Sequence, residues 1–88
     1  MNDIALLYTT VSSLEVAQKL AQKAVLEKQA VCVNIVPQAL SIYMWEEKVA
    51  QSSECLLLFK TDITRLETLQ SWLNNEHPYV LPAIIKGQ

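Results

Sequence analysis

The sequence predicts one α+β domain whose elements run β-α-β-β-α-β. Three observations predict it. Two stretches carry apolar residues at three- and four-residue steps, β-prone runs flank them, and 88 residues suit a single domain spanning 1–88. The strand runs are apolar on both faces, whereas two helices with one apolar stripe each cover only one face of a four-stranded sheet. The arrangement that satisfies both facts is the ferredoxin-like βαββαβ fold, an antiparallel sheet with its two helices on one face, leaving the other face for another copy of the chain.

The first strand is Asp3-Ile4-Ala5-Leu6-Leu7-Tyr8-Thr9-Thr10, a short apolar run bounded by polar residues. Ser12-Ser13-Leu14-Glu15 has the Ser-x-x-Glu spacing of a capping box, so a helix is expected from there to about Lys28. Val16, Ala17, Leu20, Ala21, Ala24 and Val25 form its apolar stripe, opposite Gln18, Lys19, Gln22 and Lys23.

The longest β-prone stretch follows from near Ala30 and is uncharged through Trp45. Pro37 cannot donate a ladder hydrogen bond and so marks an edge position, a bulge or a bend. Beyond it Leu40, Ile42 and Met44 alternate with Ser41, Tyr43 and Trp45, which predicts a long bent ribbon buried on both faces. Lys48 to Ser53 is expected to be a polar connection. Ser53 to Thr61 is the third strand, with Cys55, Leu57 and Phe59 on one face and Glu54, Leu56, Leu58 and Lys60 on the other.

Thr61-Asp62 supplies N-cap side chains, and Ile63, Leu66, Leu69, Trp72 and Leu73 make the stripe of a second helix ending near Asn74-Asn75. His77-Pro78-Tyr79 is a bend, because proline pushes the preceding residue out of the helical region. Val80 to Ile85 closes the chain as a short edge strand.

Composition narrows the function. Apolar residues make up 51% and charged residues 18%, against roughly 45–50% and about 25% in an ordinary soluble domain. No apolar run approaches the roughly 18 residues of a membrane span. Met1-Asn2-Asp3-Ile4 also lacks the basic start of a signal peptide, so the apolar surplus points to self-association. Seven basic and nine acidic residues give a net charge of −2 without a basic cluster, which argues against nucleic acid as a partner. Cys32 and Cys55, a bare pair within apolar strands, read as reduced thiols in a cytoplasmic protein.

Taken in order, Cys32-Val33-Asn34-Ile35-Val36-Pro37, Ser41-Ile42-Tyr43-Met44-Trp45-Glu46-Glu47-Lys48, Ser53-Glu54 with Leu56 to Thr61, and His77-Pro78-Tyr79 with Pro82 resemble the CutA family of divalent-cation tolerance proteins. The resemblance spans almost the whole chain. It implies a ferredoxin-like subunit, a homotrimer related in architecture to the PII signalling proteins, a cytoplasmic or organellar location, and an association with divalent metals, copper in particular. The chain departs from the family at several points. Family members usually have glycine where this chain has Gln38 and Glu47, so the bend is expected to tolerate positive φ less well. Acidic residues common in the family are replaced by Val80 and Ala83, removing two carboxylates suited to a cation. Relatives commonly continue beyond Gln88 with a further strand and short helix, so the chain is expected to be either a short natural variant or a truncated one.

Two candidate sites follow. Cys32 and His77 have the softness that copper prefers, with Glu54 or Glu46 as oxygen donors. The alternative is a small buried cysteine and a hydrogen-bonded turn histidine, since no Cys-x-x-Cys or His-x-x-x-His spacing is present. Trp45, Glu46, Lys48 and Lys60, with Asn34, Tyr43 and Tyr79 as polar donors, could line an intersubunit cleft for a small anionic or amphipathic ligand. The same aromatics and ion pairs equally suit an oligomer interface, which the apolar surplus favours. Catalysis is not expected: no spacing activates a cysteine, and Gly87 as sole glycine excludes a glycine-rich phosphate loop. The expected function is a non-catalytic, homotrimeric divalent-cation tolerance protein binding copper or another divalent cation. The alternative is a PII-like sensor of a small metabolite that signals through a protein partner.

Overall fold

The computed structural model of the chain describes residues 3–76 and the backbone of 83–86. The bend expected at His77-Pro78-Tyr79 lies outside them. The elements are β1 (Ile4–Val11), α1 (Leu14–Leu26), β2 (Cys32–Trp45), β3 (Lys48–Asp62), a 3-10 turn (Ile63–Arg65) leading into α2 (Leu66–Glu76), and β4 (Ala83–Lys86). The four strands lie in the order β2-β3-β1-β4, and every neighbouring pair is antiparallel. This is the expected ferredoxin-like α+β arrangement.

The core follows from strand alternation. Ala5, Leu7, Thr9 and Val11 stand opposite Thr61, Phe59, Leu57 and Cys55, and all eight are buried. Ala17, Leu20, Ala21 and Ala24 of α1 and Leu66, Leu69 and Leu73 of α2 pack onto the same cluster, so both helices cover one face. Phe59, Leu7, Leu57, Leu69 and Leu73 are its largest fully buried side chains. Each gains about 1.5–3 kcal/mol from leaving water.

Helix ends differ from expectation in detail. Ser13, in extended conformation, is the N-cap of α1, and its Oγ accepts from the Val16 N–H at 3.2 Å. The helix thus begins one residue later than a Ser12–Glu15 box requires, and Glu15 instead faces Lys19 at 3.4 Å. At the other end the Gln29 N–H donates to the Ala24 carbonyl at 2.8 Å and the Lys28 N–H to that of Val25 at 3.1 Å. This is the Schellman pattern, with Lys28 held at φ 59° where glycine is usual. Val25, expected in the buried stripe, is 44% exposed. The Asp62 carboxylate caps the turn after β3 by accepting from the Thr64 N–H at 2.9 Å.

The central hairpin is longer than the sequence suggests. Residues 48–53, expected to be a connection, continue β3, because the turn consumes only Glu46 and Glu47 and pairs Trp45 directly with Lys48. Glu46 and Glu47 both have positive φ, 49° and 65°, the two-residue turn whose twist matches that of antiparallel strands. Between Val36↔Leu56 and Ala39↔Glu54, Pro37 and Gln38 oppose the single residue Cys55. The interruption at Pro37 is therefore a β-bulge on an edge strand, where a missing N–H is tolerated, and Gln38 takes φ 61° within it. Both positions that lack the family's glycine adopt the left-handed backbone all the same.

Pairing of β1 with β3 stops at Val11↔Cys55, so residues 39–45 and 48–54 pair only with each other and project as an arm. The chain measures 45 × 27 × 21 Å with a radius of gyration of 13.5 Å, beyond the roughly 12 Å of a compact domain this long. The ribbon was expected to be buried on both faces, and in the single chain it is not. Ile42 is 66%, Trp45 65% and Val49 73% exposed. A two-stranded arm has no layer of its own chain above or below it.

Candidate functional site

The sheet face opposite the helices is where the chain's unspent chemistry gathers. Because side chains alternate, one residue in two of each strand turns away from the core. On β1 these are Leu6, Tyr8 and Thr10, on β3 Leu56, Leu58 and Lys60, and on β2 Cys32, Asn34 and Val36, standing side by side in register. The middle of this face is apolar, and among the described residues no helix lies over it. The arm continues it with Ser41, Tyr43 and Trp45 beside Ser52, Ala50 and Lys48, while Leu40, Ile42, Met44 and Val49 occupy the arm's reverse side. Both sides of the arm therefore present large apolar groups.

Where the arm joins the sheet, Glu54 is half-buried among hydroxyls. Ser52 Oγ donates to Glu54 Oε1 at 3.1 Å. Hydrogen bonds from Thr10 first and Ser41 next, with Ser52 adding to them, lower the Glu54 pKa from the usual 4.5 against the opposing effect of desolvation. The ionised carboxylate is the favoured form there. On the other face, where Ser53 and Cys55 point, the bulge opens a cleft of about 240 Å³ lined by Ser13, Leu14, Pro37 and Gln38, among others. The Glu54 carboxylate with its hydroxyl donors can contribute one oxygen to a shared cation, and the cleft on the other face, with hydroxyls, an amide and an apolar wall, can hold a small polar ligand.

The expected metal donors are not adjacent within one chain. Cys32 stands opposite Lys60, six residues along β3 from Glu54, which places the two about 20 Å apart at the rise of an extended strand. One chain cannot bring Cys32 and Glu54 to a single ion, a correction to their grouping. His77 lies outside the described residues, as does Tyr79. Among the described residues no group of three or more His, Cys, Asp or Glu side chains is placed to hold a metal. Cys32 is half-exposed, not the buried thiol of the alternative reading, whereas Cys55 is buried in the core; both are free.

The expected cleft set also divides. Tyr43, Trp45 and Lys48 share the arm's outer end, with Glu46 in its turn. Asn34, opposite Leu58, and Lys60, beside Cys32, belong to the sheet, about 30–40 Å farther along β3. Only contact between chains can bring these two groups together. Thr10, Ser41 and Ser52 were not legible as site residues, because their convergence on Glu54 depends on the β1–β3 register and the bulge. The Ser-Ser-Glu run at 52–54 is the one local signal that could have indicated them.

Trp72 stays on the helix side. Its Nε1–H donates to Glu27 Oε1 at 3.0 Å, and Lys23 bridges Glu76 and Glu27, tying α2 to α1. The bond to Glu76 chiefly raises the Lys23 pKa above its ordinary value.

The comparisons agree with this geometry. A sequence model of the family described as CutA1 divalent ion tolerance protein matches residues 5–88. A chloroplastic CutA protein of Arabidopsis thaliana is 47% identical over 78 residues, covering 89% of this chain and 43% of the relative. A divalent-cation tolerance protein CutA of Thermus thermophilus is 41% identical over 85 residues, covering 97% of this chain and 81% of the relative. The chain thus spans less than half the plant relative and about four fifths of the bacterial one. Among solved structures, CutA from Synechococcus elongatus PCC7942 superposes with a TM-score of 0.86 at 43% identity, covering 98% of this chain and 76% of that one. The same protein has been solved in complex with a Bis-Tris molecule, with a TM-score of 0.83 and 79% of its chain covered.

Proposed function

The chain belongs to the CutA1 divalent ion tolerance family, and from that premise we propose that it acts without catalysis, as a homotrimer that binds copper or another divalent cation at sites shared between subunits. The observation that carries this reading is the uncovered apolar surface. The open sheet face is continuous with an arm that is apolar on both sides, and the edge strand β2 has no charged residue from Cys32 to Trp45. Exposed edges are guarded by charge, proline or a bulge, and here Pro37 and its bulge interrupt the edge only at 37–38, leaving the uncharged stretches on either side as templates for another chain. A neighbouring copy over this face would also bring the arm-tip group of one chain toward the sheet group of another. The ion would then take donors from two chains, because one chain holds Cys32 and Glu54 too far apart. Free cysteines and the absence, among the described residues, of any helix long and apolar enough to cross a membrane are compatible with action in the cytoplasm.

Light scattering on the purified chain tests the assembly: the expected mass is three times 9.9 kDa, and a monomer at micromolar concentration would sink the proposal. Copper titration followed by the fluorescence of Trp45 and Trp72 tests the ion. Saturable binding lost in Cys32→Ala is expected, and binding unchanged by that substitution removes the thiol from the site.

A second reading, a PII-like sensor of a small metabolite that docks on a protein partner, is favoured by the cleft at the Pro37-Gln38 bulge. The Synechococcus relative solved with Bis-Tris adds support, since that protein takes up a small organic molecule. Saturation by an organic ligand, with no response to copper, would select this reading.

A further inference from the structure

We draw no further inference here: the strongest candidate, the apolar groove between α1 and the edge strand β2 lined by Ala21, Val25, Leu26 and Val33, is open along its outer side and nothing in the structure shows what covers it.

Discussion

Replacing Glu47 with glycine is expected to stabilise the chain. Glu47 sits at φ 65° in the two-residue turn, and Glu46 before it at φ 49°. A side chain in the left-handed region crowds its own carbonyl at a cost of roughly 1–2 kcal/mol. Glycine removes that cost but loses about 0.5–1 kcal/mol more conformational entropy on folding. The net gain is about 0.5–1 kcal/mol. A domain of this length shifts by roughly 4–8 °C per kcal/mol, so thermal melting followed by circular dichroism should move upward by about 2–8 °C. A chain that melts from a trimer has a midpoint that depends on protein concentration, so parent and variants are compared at the same concentration. Glu47→Gly also removes one of two adjacent carboxylates, so Glu47→Ala is the necessary control. Alanine removes the charge yet keeps the crowded Cβ, and its melting temperature should stay near that of the parent. If alanine stabilises as much as glycine, the gain comes from charge relief and the backbone argument fails. Gln38→Gly in the bulge and Lys28→Gly at the end of α1 relax the same strain, and should each raise the melting temperature by a similar amount.

Glu54 predicts a pH dependence. Its folded carboxyl titrates below the usual 4.5, so its contribution is complete above that value and disappears as pH falls through the lower folded value. Glu54→Gln should therefore be less stable than the parent at neutral pH, with the gap closing in acid. Urea titrations across that range check this, and a gap that does not change with pH would count against it. Phe59 is fully buried between both helices and the sheet. Phe59→Ala should cost about 3–5 kcal/mol, much of the 5–15 kcal/mol a domain usually has, and show as a large drop in the urea midpoint. Ser13→Ala should cost about 1 kcal/mol by leaving the Val16 N–H uncapped, whereas Ser12→Ala should leave the midpoint almost unmoved. Equal losses from the two would restore Ser12 as the cap.

The sequence by itself determined the element types outside residues 48–53 and the buried stripe of each helix. Those properties depend on local periodicity: the three- and four-residue stripe in α1 and that of Leu66, Leu69 and Leu73 in α2 are visible without any partner, whereas in β1, apolar on both faces, only the packed helices show that Ala5, Leu7, Thr9 and Val11 are the buried set. The separated motifs around Cys32, Trp45, Glu54 and Lys60 were likewise sufficient to place the chain in its family. What only the tertiary structure decided is relative position. Whether residues 48–53 connect two strands or continue one depends on how many residues the turn consumes, and two glutamates in a left-handed turn do not announce themselves. The bulge at Pro37-Gln38 and the β1–β3 register bring Thr10, Ser41 and Ser52 to Glu54, while the straightness of β3 keeps Glu54 away from Cys32. Composition names the groups able to serve a ligand. Strand rise and register decide which of them can ever meet, and in this chain they make contact between subunits the condition for a shared site.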